Sequence, residues 1–230
     1  PLTMEAWQQE VDAIFYGFHP GTMTGPAIVD LLWGEVNPSA KLPMTFPKHV
    51  GQIPIYYNHV NTGKPPTPDA WVPMQEVPQQ AVQTSVGNTS LYLDYGYEPA
   101  FPFGYGLSYT TFACADLTLS TTSWNGEEPL VVEAVVSNTG SRAGATVVQL
   151  YLRDHVASRV QPVRRLVAAK KVTLSAGGRA SVRFQLAPED LAIFTRDGQM
   201  KAEPGDFTLF LGEDVTADLS VDFTFKPKQP

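Results

Sequence analysis

The sequence predicts an α/β segment followed by an all-β sandwich, and three observations support this prediction. An apolar run, a glycine-containing loop and an amphipathic stretch succeed one another between residues 11 and 34, which is the pattern of a β-α unit. From residue 113 onward, short apolar segments alternate with turn residues at regular spacing. Between these halves, residues 101–112 contain five aromatic residues, two glycines and one proline. That stretch is too rich in Gly and Pro for a helix and too apolar for a flexible linker, so it predicts a packed crossing between domains.

The composition restricts the class of protein. Of the 230 residues, 43% are hydrophobic and 17% are charged, which is typical of a globular chain of one or two domains. The formal net charge of −7 argues against nucleic acid and anionic membrane as partners, since both attract basic proteins. No apolar run approaches the length of a membrane-spanning helix. The single cysteine, Cys114, cannot form an internal disulfide and is predicted to fill core space rather than to react.

The β-α unit begins with the almost continuous apolar run at residues 11–18, which predicts a strand buried on both faces. A loop at residues 19–24 follows, and Thr22 or Thr24 is expected to cap a helix that ends at Gly34. Ligands of α/β sheets bind at the carboxyl ends of strands, so this loop is where the segment could touch a substrate. His19 and Met23 are the candidate substrate-binding residues, with packing of the loop as the alternative.

One β-α unit cannot form a sheet alone, because the edges of its strand need neighbours. The candidates within the chain are few, namely residues 41–46 and 91–93. The sequence also begins at Pro1 rather than at a methionine. We therefore expect the chain to be a piece of a longer protein whose preceding part supplies the missing strands.

A long irregular loop is predicted at about residues 64–93, since five prolines fall between residues 64 and 90 among many polar residues. Trp71, Val72 and Met74 indicate that part of this loop packs against something. The loop either forms the rim of a cleft or contacts a second subunit, which would give a homodimer.

The second segment predicts a β-sandwich of seven or eight strands separated by Gly- and Asn-containing turns. Residues 188–191 could form one helical turn. The strand candidates are 114–120, 130–137, 146–154, 166–174, 180–186, 193–195, 207–212 and 219–225.

Three stretches carry a family resemblance: NPSAKLPMTFP at 37–47, the crossing at 101–112, and the sandwich segments SNTG at 137–140 and VVQLYL at 147–152. Together they resemble the C-terminal part of a family 3 glycoside hydrolase, of the bacterial periplasmic β-glucosidase type. The resemblance covers nearly the whole chain, and only the loop at about 64–93 is longer than usual in the family. Ala40 stands where the family usually has glycine.

The resemblance implies a barrel, then an α/β sandwich, then a fibronectin type III-like domain. Residues 1–108 would be the C-terminal part of the α/β sandwich domain, and residues 109–230 the fibronectin type III-like β-sandwich. The implied enzyme is a retaining β-glucosidase without cofactor or metal, located in the periplasm or secreted, that removes terminal β-linked glucose from oligosaccharides.

Such an enzyme uses two carboxyl groups about 5 Å apart. In the family the nucleophile lies in the barrel and the acid/base lies in the upstream part of the α/β sandwich, so no catalytic residue is assigned in this chain. The barrel and the α/β part of the same enzyme are then the implied partners. A β-xyloside is the alternative substrate. A non-catalytic carbohydrate-binding or adhesion module is the alternative function, in which Tyr56, Trp71 and Trp124 would stack on sugar rings.

Other residues that could carry chemistry have simpler interpretations. The neighbouring carboxylates Glu127-Glu128 and Glu189-Asp190 are expected in solvated turns, because adjacent side chains of an extended chain point in opposite directions. Asp94 lies among aromatic residues and is predicted to be buried and hydrogen-bonded. The histidines lack the close spacing of a zinc site; they are His19, His49, His59 and His155.

Overall fold

The structure is a computed structural model that describes residues 2–67, 72–81, 89–92 and 94–228. The first segment is largely irregular. Its described residues contain one α-helix, α1 (Thr24–Leu32), and single turns of 3-10 helix at Gln8–Glu10, Val50–Gln52 and Met74–Glu76. No helix in the described residues is both long and apolar enough to cross a membrane.

The second segment is a β-sandwich that also contains the short helix α2 (Pro188–Leu191). Its strands are β1 (Phe112–Leu119), β2 (Ser123–Trp124), β3 (Leu130–Asn138), β4 (Gly144–Asp154), β5 (Arg165–Leu174), β6 (Arg179–Leu186), β7 (Ile193–Phe194), β8 (Met200–Lys201), β9 (Gly205–Gly212) and β10 (Leu219–Phe225). One sheet has the order β1-β3-β6 and the other the order β2-β10-β9-β4-β5, with β7 and β8 forming a separate hairpin. Neighbouring strands are antiparallel except β2 and β10, which are parallel.

All eight strands predicted from the sequence form, with ends that differ by up to two residues, and the helical turn at 188–191 forms as well. The alternation of buried and exposed residues along β3 and β6 shows why, since one face of each strand packs into the sandwich. The two-residue strands β2 and β8 were not predicted, because they are too short to show a periodic pattern.

The core lies between the two sheets and is built from inward-facing aliphatic and aromatic residues such as Leu130, Leu150 and Phe207. Cys114 packs against this core, as predicted, and burial raises the pKa of its thiol to about 11. At neutral pH the thiol is therefore protonated and poorly nucleophilic, which supports a packing role for the residue.

Strand β1 forms one edge of the smaller sheet and contains a bulge. The pairing of β1 with β3 shifts between Ala115 and Thr118, so that two residues of β1 lie opposite one residue of β3. Asp116, within the bulge, has a φ of 55°, a left-handed conformation that Asp tolerates better than most residues. The bulge interrupts the edge of the sheet near the middle of the strand.

The predicted strand at residues 11–18 does not form. This run has no ladder with any described strand, and most of its residues are exposed. Residues 41–46 bend at Pro43 and Met44 and make one isolated bridge, between Phe46 and Phe101. The run is apolar enough for a buried strand, but a strand forms only where a neighbouring strand satisfies its backbone groups.

The long loop is described only in part. Trp71, residues 82–88 and Leu93 lie outside the described residues, while Val72 is exposed. Tyr92 makes an isolated bridge to Gly96, and the candidate strand at 91–93 stays a prediction because Leu93 is not among the described residues. The predicted packing of this loop, including a homodimer contact, therefore stays a prediction, and so does the domain boundary between residues 108 and 109.

Candidate functional site

The loop that carries His19 and Met23 lies directly before the amino end of α1. Both side chains are exposed, Met23 to 69%. Neither predicted threonine cap forms, because Met23 is the N-cap residue and no side chain caps the helix. Instead, the Thr24 hydroxyl donates back to the carbonyl oxygen of Gly21 and closes the turn.

Aromatic packing holds the stem of this loop. The ring of Tyr16 packs edge-to-face on Phe18 and on Phe46, with centroid separations of 4.6 and 4.9 Å. Phe46 is fully buried and also contacts Phe101, where the crossing begins. Phe18 has a φ of 50°, a conformation uncommon for a bulky residue, so the chain turns sharply before His19. His19 and Met23 thus project from a loop whose stem is packed against the crossing.

Large apolar side chains that flank this loop in the sequence are exposed. No residue of α1 is buried, although the helix is rich in apolar residues. Soluble proteins seldom leave extensive apolar surface uncovered. The exposed apolar set comprises Val11, Ile14, Phe15, Phe18, Met23, Val29, Leu32, Trp33 and Val36.

A polar network joins the first segment to the sandwich. The ammonium group of Lys41 donates to the carbonyl oxygen of Gly106 at 2.8 Å and pairs with the Glu213 carboxylate at 3.0 Å. The same carboxylate accepts a hydrogen bond from Thr146 of β4. The Lys41 side chain is 11% exposed and that of Glu213 is 32% exposed, so water and salt screen this ion pair less than one on the open surface.

A second part of this contact centres on Gln149 of β4, which is buried. Its amide donates to the backbone oxygens of Gly104 and Glu213, and its side-chain oxygen accepts from the Tyr151 hydroxyl at 2.6 Å. Beside it, the rings of Tyr57 and Phe103 stack at 4.1 Å. Phe103 of the crossing thus packs against Tyr57 of the first segment, whereas Tyr109 of the crossing is 44% exposed.

Several carboxylates of the sandwich make local contacts. Glu127 and Glu128 are exposed, and Glu127 pairs with Lys228. Burial is the main cause that raises the pKa of Asp154, while two hydrogen bonds from Ser158 lower the pKa of Glu203. Both shifts thus follow from local structure. The described residues contain no group of three or more His, Cys, Asp or Glu side chains placed to hold a metal.

One prediction about an individual residue was wrong, and the structure contradicts one part of the alternative function. Asp94 is exposed rather than buried. Trp124, proposed as a sugar-stacking residue, is 2% exposed, and its indole nitrogen donates to the carbonyl oxygen of Glu128 at 2.7 Å. Of the three aromatic residues considered for stacking, Tyr56 is exposed and Trp71 lies outside the described residues. Trp124 is not available to a sugar ring.

A family model matches within each of the two segments of the chain. Residues 1–109 match the model of the glycosyl hydrolase family 3 C-terminal domain, and residues 146–215 match the fibronectin type III-like domain. The chain therefore belongs to glycoside hydrolase family 3, as the resemblance indicated, and corresponds to the C-terminal part of its members.

Particular relatives are similar over nearly the whole chain. The periplasmic β-glucosidase of Salmonella typhimurium is 43% identical over 214 residues, which are 93% of this chain and 26% of the relative. A β-xylosidase of Formosa agariphila is 32% identical over 95% of this chain and 27% of the relative. The crystal structure of β-glucosidase from Listeria innocua in complex with glucose has a TM-score of 0.78 and 38% identity, over 90% of this chain and 27% of that one. The chain thus spans about a quarter of the length of these relatives.

Proposed function

We propose that this chain is the C-terminal part of a retaining β-glucosidase that removes terminal β-linked glucose from oligosaccharides. The nucleophile and the acid/base come from the upstream part of the enzyme. The observation that carries the proposal is the family match over residues 1–109, together with the 43% identity to the Salmonella β-glucosidase. The carboxylates of Glu127, Asp190 and Glu203 are engaged in an ion pair or in local hydrogen bonds, which supports a catalytic pair elsewhere.

The exposed apolar set is the surface on which the upstream α/β part packs. Val29 and Leu32 of α1 and the run at 11–18 would be covered by further strands and helices of one α/β sandwich. In that setting the run at 11–18 would gain the neighbours it lacks here and form the predicted strand. This supports the upstream barrel and α/β part of the same enzyme as the partners of the chain.

Within that enzyme, we place the 19–24 loop at the rim of the substrate cleft, on the side of the departing group. The proposal is supported by the position of the loop at the amino end of α1, after the run expected to form a strand, and by the exposure of both side chains. His19 supplies a hydrogen-bonding imidazole, and Met23 supplies a flexible apolar side chain suited to sugar faces or aglycones of varied shape.

A chimera tests the proposed function. The C-terminal quarter of the Salmonella relative is replaced by this chain, and the activity on an aryl β-glucoside is compared with that of the isolated 230-residue chain. We expect the chimera to hydrolyse the glucoside and the isolated chain to be inactive, because the catalytic carboxyl groups come from upstream. Activity of the isolated chain would show that the catalytic pair lies within it. A chimera that folds but is inactive would contradict the assignment of the chain.

The role of the loop is tested in the same chimera by His19→Ala and Met23→Ala. We expect each variant to raise KM about two- to ten-fold with little change in kcat, since a contact made equally in the ground state and the transition state affects binding alone. Val50→Ala, an exposed apolar residue outside the loop, is the matched control. Unchanged KM in both loop variants would place the loop away from the substrate.

Glucose is the proposed sugar because the Salmonella β-glucosidase shares 43% identity with the chain, against 32% for the Formosa β-xylosidase. The Formosa relative makes a β-xyloside the second candidate substrate, and the two are separated by the ratio of kcat/KM values on matched aryl glycosides in the parent enzyme. The Salmonella protein is described as periplasmic, which supports a periplasmic or secreted location; fractionation of the source cells checks it.

A further inference from the structure

The carboxyl end of α1 is held by groups from outside the first segment. Its own cap is complete: Gly34 has a φ of 75°, the left-handed conformation that ends helices, and its N–H donates to the carbonyl oxygen of Leu31 at 3.0 Å. The N–H of Val36 donates to the carbonyl oxygen of Asp30 at 3.1 Å. The contacts that groups from outside the first segment make are therefore not needed to end the helix.

Two side chains distant in sequence bind the same end of the helix. The Tyr109 hydroxyl donates to the carbonyl oxygen of Leu31 at 2.8 Å, and the Arg142 guanidinium donates to the carbonyl oxygen of Gly34 at 2.8 Å. The guanidinium also lies 5.5 Å from the centre of the Tyr109 ring, within cation–π range. A positive charge at the carboxyl end of a helix interacts favourably with the helix dipole, so Arg142 suits this position by charge as well as by geometry.

Hydrogen bonds also hold the backbone of Tyr109 and of Arg142 in place. Asn37 accepts from the Ser108 hydroxyl and from the Tyr109 N–H at 2.7 and 2.8 Å, and its amide donates to the carbonyl oxygen of Ala143 at 3.0 Å. On the other side, the buried Asn138 donates to the carbonyl oxygen of Arg142 at 2.7 Å. The positions of Tyr109 and Arg142 are thus set by the crossing and by the turn between β3 and β4.

The helix itself makes few other fixing contacts, because none of its residues is buried in this chain. A nine-residue helix is about 13 Å long and moves as one body, so a restraint at its carboxyl end limits the position of its amino end. His19 and Met23 lie beside that amino end.

We propose that Tyr109 and Arg142 are positioning residues, through which the sandwich domain holds α1 and thereby orders the loop that carries His19 and Met23. The functional consequence rests on the role proposed above for that loop. The fibronectin type III-like domain would then contribute to substrate affinity without touching the substrate. Neither Tyr109 nor Arg142 is a catalytic residue in this proposal.

Hydrogen exchange in the 230-residue chain tests the restraint without any assumption about activity. In Arg142→Ala and Tyr109→Phe we expect amides of residues 19–36 to exchange about five-fold faster, the ratio expected from one lost hydrogen bond, while the strands of the sandwich keep their rates. Arg142→Lys, which keeps the charge, should restore part of the protection. Arg183→Ala is the matched control, since Arg183 is an exposed arginine whose ion pair lies on the sandwich alone. Equal exchange at 19–36 in all four variants and the parent would overturn the proposal.

Kinetics of the chimera test the positioning role. We expect Arg142→Ala to raise KM several-fold at unchanged kcat, and Arg183→Ala to change neither. Faster exchange of the α1 amides with an unchanged KM would show that the contact stabilises the helix without affecting substrate binding. That result would overturn the positioning role. If the parent chimera is inactive, the proposed function fails instead, and the exchange experiment alone decides whether the sandwich orders the loop.

Discussion

Gly104→Ala is expected to destabilise the chain by about 2 to 5 kcal/mol. Gly104 has a φ of 83°, and a left-handed backbone costs a residue with a Cβ roughly 1–2 kcal/mol. A Cβ there would lie 2.7 Å from Nε2 and 2.9 Å from Cδ of Gln149. Gln149 is buried and bonded to Tyr151, so it cannot move aside without loss of hydrogen bonds, and overpacking adds about 1–3 kcal/mol.

Gly177→Ala separates the backbone cost of Gly104→Ala from its overpacking cost. Gly177 also has a left-handed φ, 67°, but nothing lies within 4 Å of the position its Cβ would take. Only the backbone cost of roughly 1–2 kcal/mol is expected there. Urea unfolding of the two variants gives the comparison. Equal losses of free energy would show that the contact between Gly104 and Gln149 tolerates a methyl group, and the proposed close packing of the crossing on β4 would be wrong.

Trp124→Ala is expected to cost about 3–5 kcal/mol, the usual range for truncating a large buried aromatic residue. The Trp124 ring lies 5.1 Å from the ring of Phe225 and 6.3 Å from that of Phe223, inside the sandwich. The change removes these contacts and leaves the carbonyl oxygen of Glu128 without its indole donor. Thermal or urea unfolding followed by circular dichroism gives the size of the loss.

Trp33→Ala is the control for that substitution, because Trp33 is 74% exposed in this chain. We expect its effect on the free energy of unfolding to lie within about 0.5 kcal/mol of zero, as for most surface changes. The same substitution in the chimera should cost more if Trp33 packs against the upstream part. A small loss at Trp124 combined with quenching of its fluorescence by cello-oligosaccharides would restore the sugar-stacking hypothesis that the structure contradicts.

The sandwich was predictable because each of its longer strands has a recognisable local pattern of apolar residues. Alternation along 130–137 and 180–186 identifies strands with one buried face, and the glycine-containing turns mark their ends. The strand predicted at 11–18 from the same kind of pattern does not form, and the reason is physical. Apolar residues make burial of a segment favourable. A strand also needs a neighbouring strand to pair with its backbone, and no described part of this chain supplies one for residues 11–18.

Long-range contacts account for most of the remaining differences. The Asn-Gly turn after Trp124 was predicted, yet the indole faces inward because β2 pairs with β10, about one hundred residues later. The contacts of Lys41 with Glu213 and of Arg142 with Gly34 likewise join residues more than one hundred positions apart. No local pattern marks such pairs. The position of the 19–24 loop before a helix was predictable, whereas the anchoring of that helix by the sandwich was not.

The bulge in β1 bears on how the protein behaves when it is concentrated. An uninterrupted edge strand offers a row of free backbone groups on which a strand of a second molecule can add, and such additions can propagate into fibres. The extra residue of β1 and the left-handed Asp116 break that row and place a carboxylate in it. The smaller sheet therefore resists growth at this edge, a useful property for a protein proposed to work outside the cytoplasm, where ATP-dependent chaperones are absent.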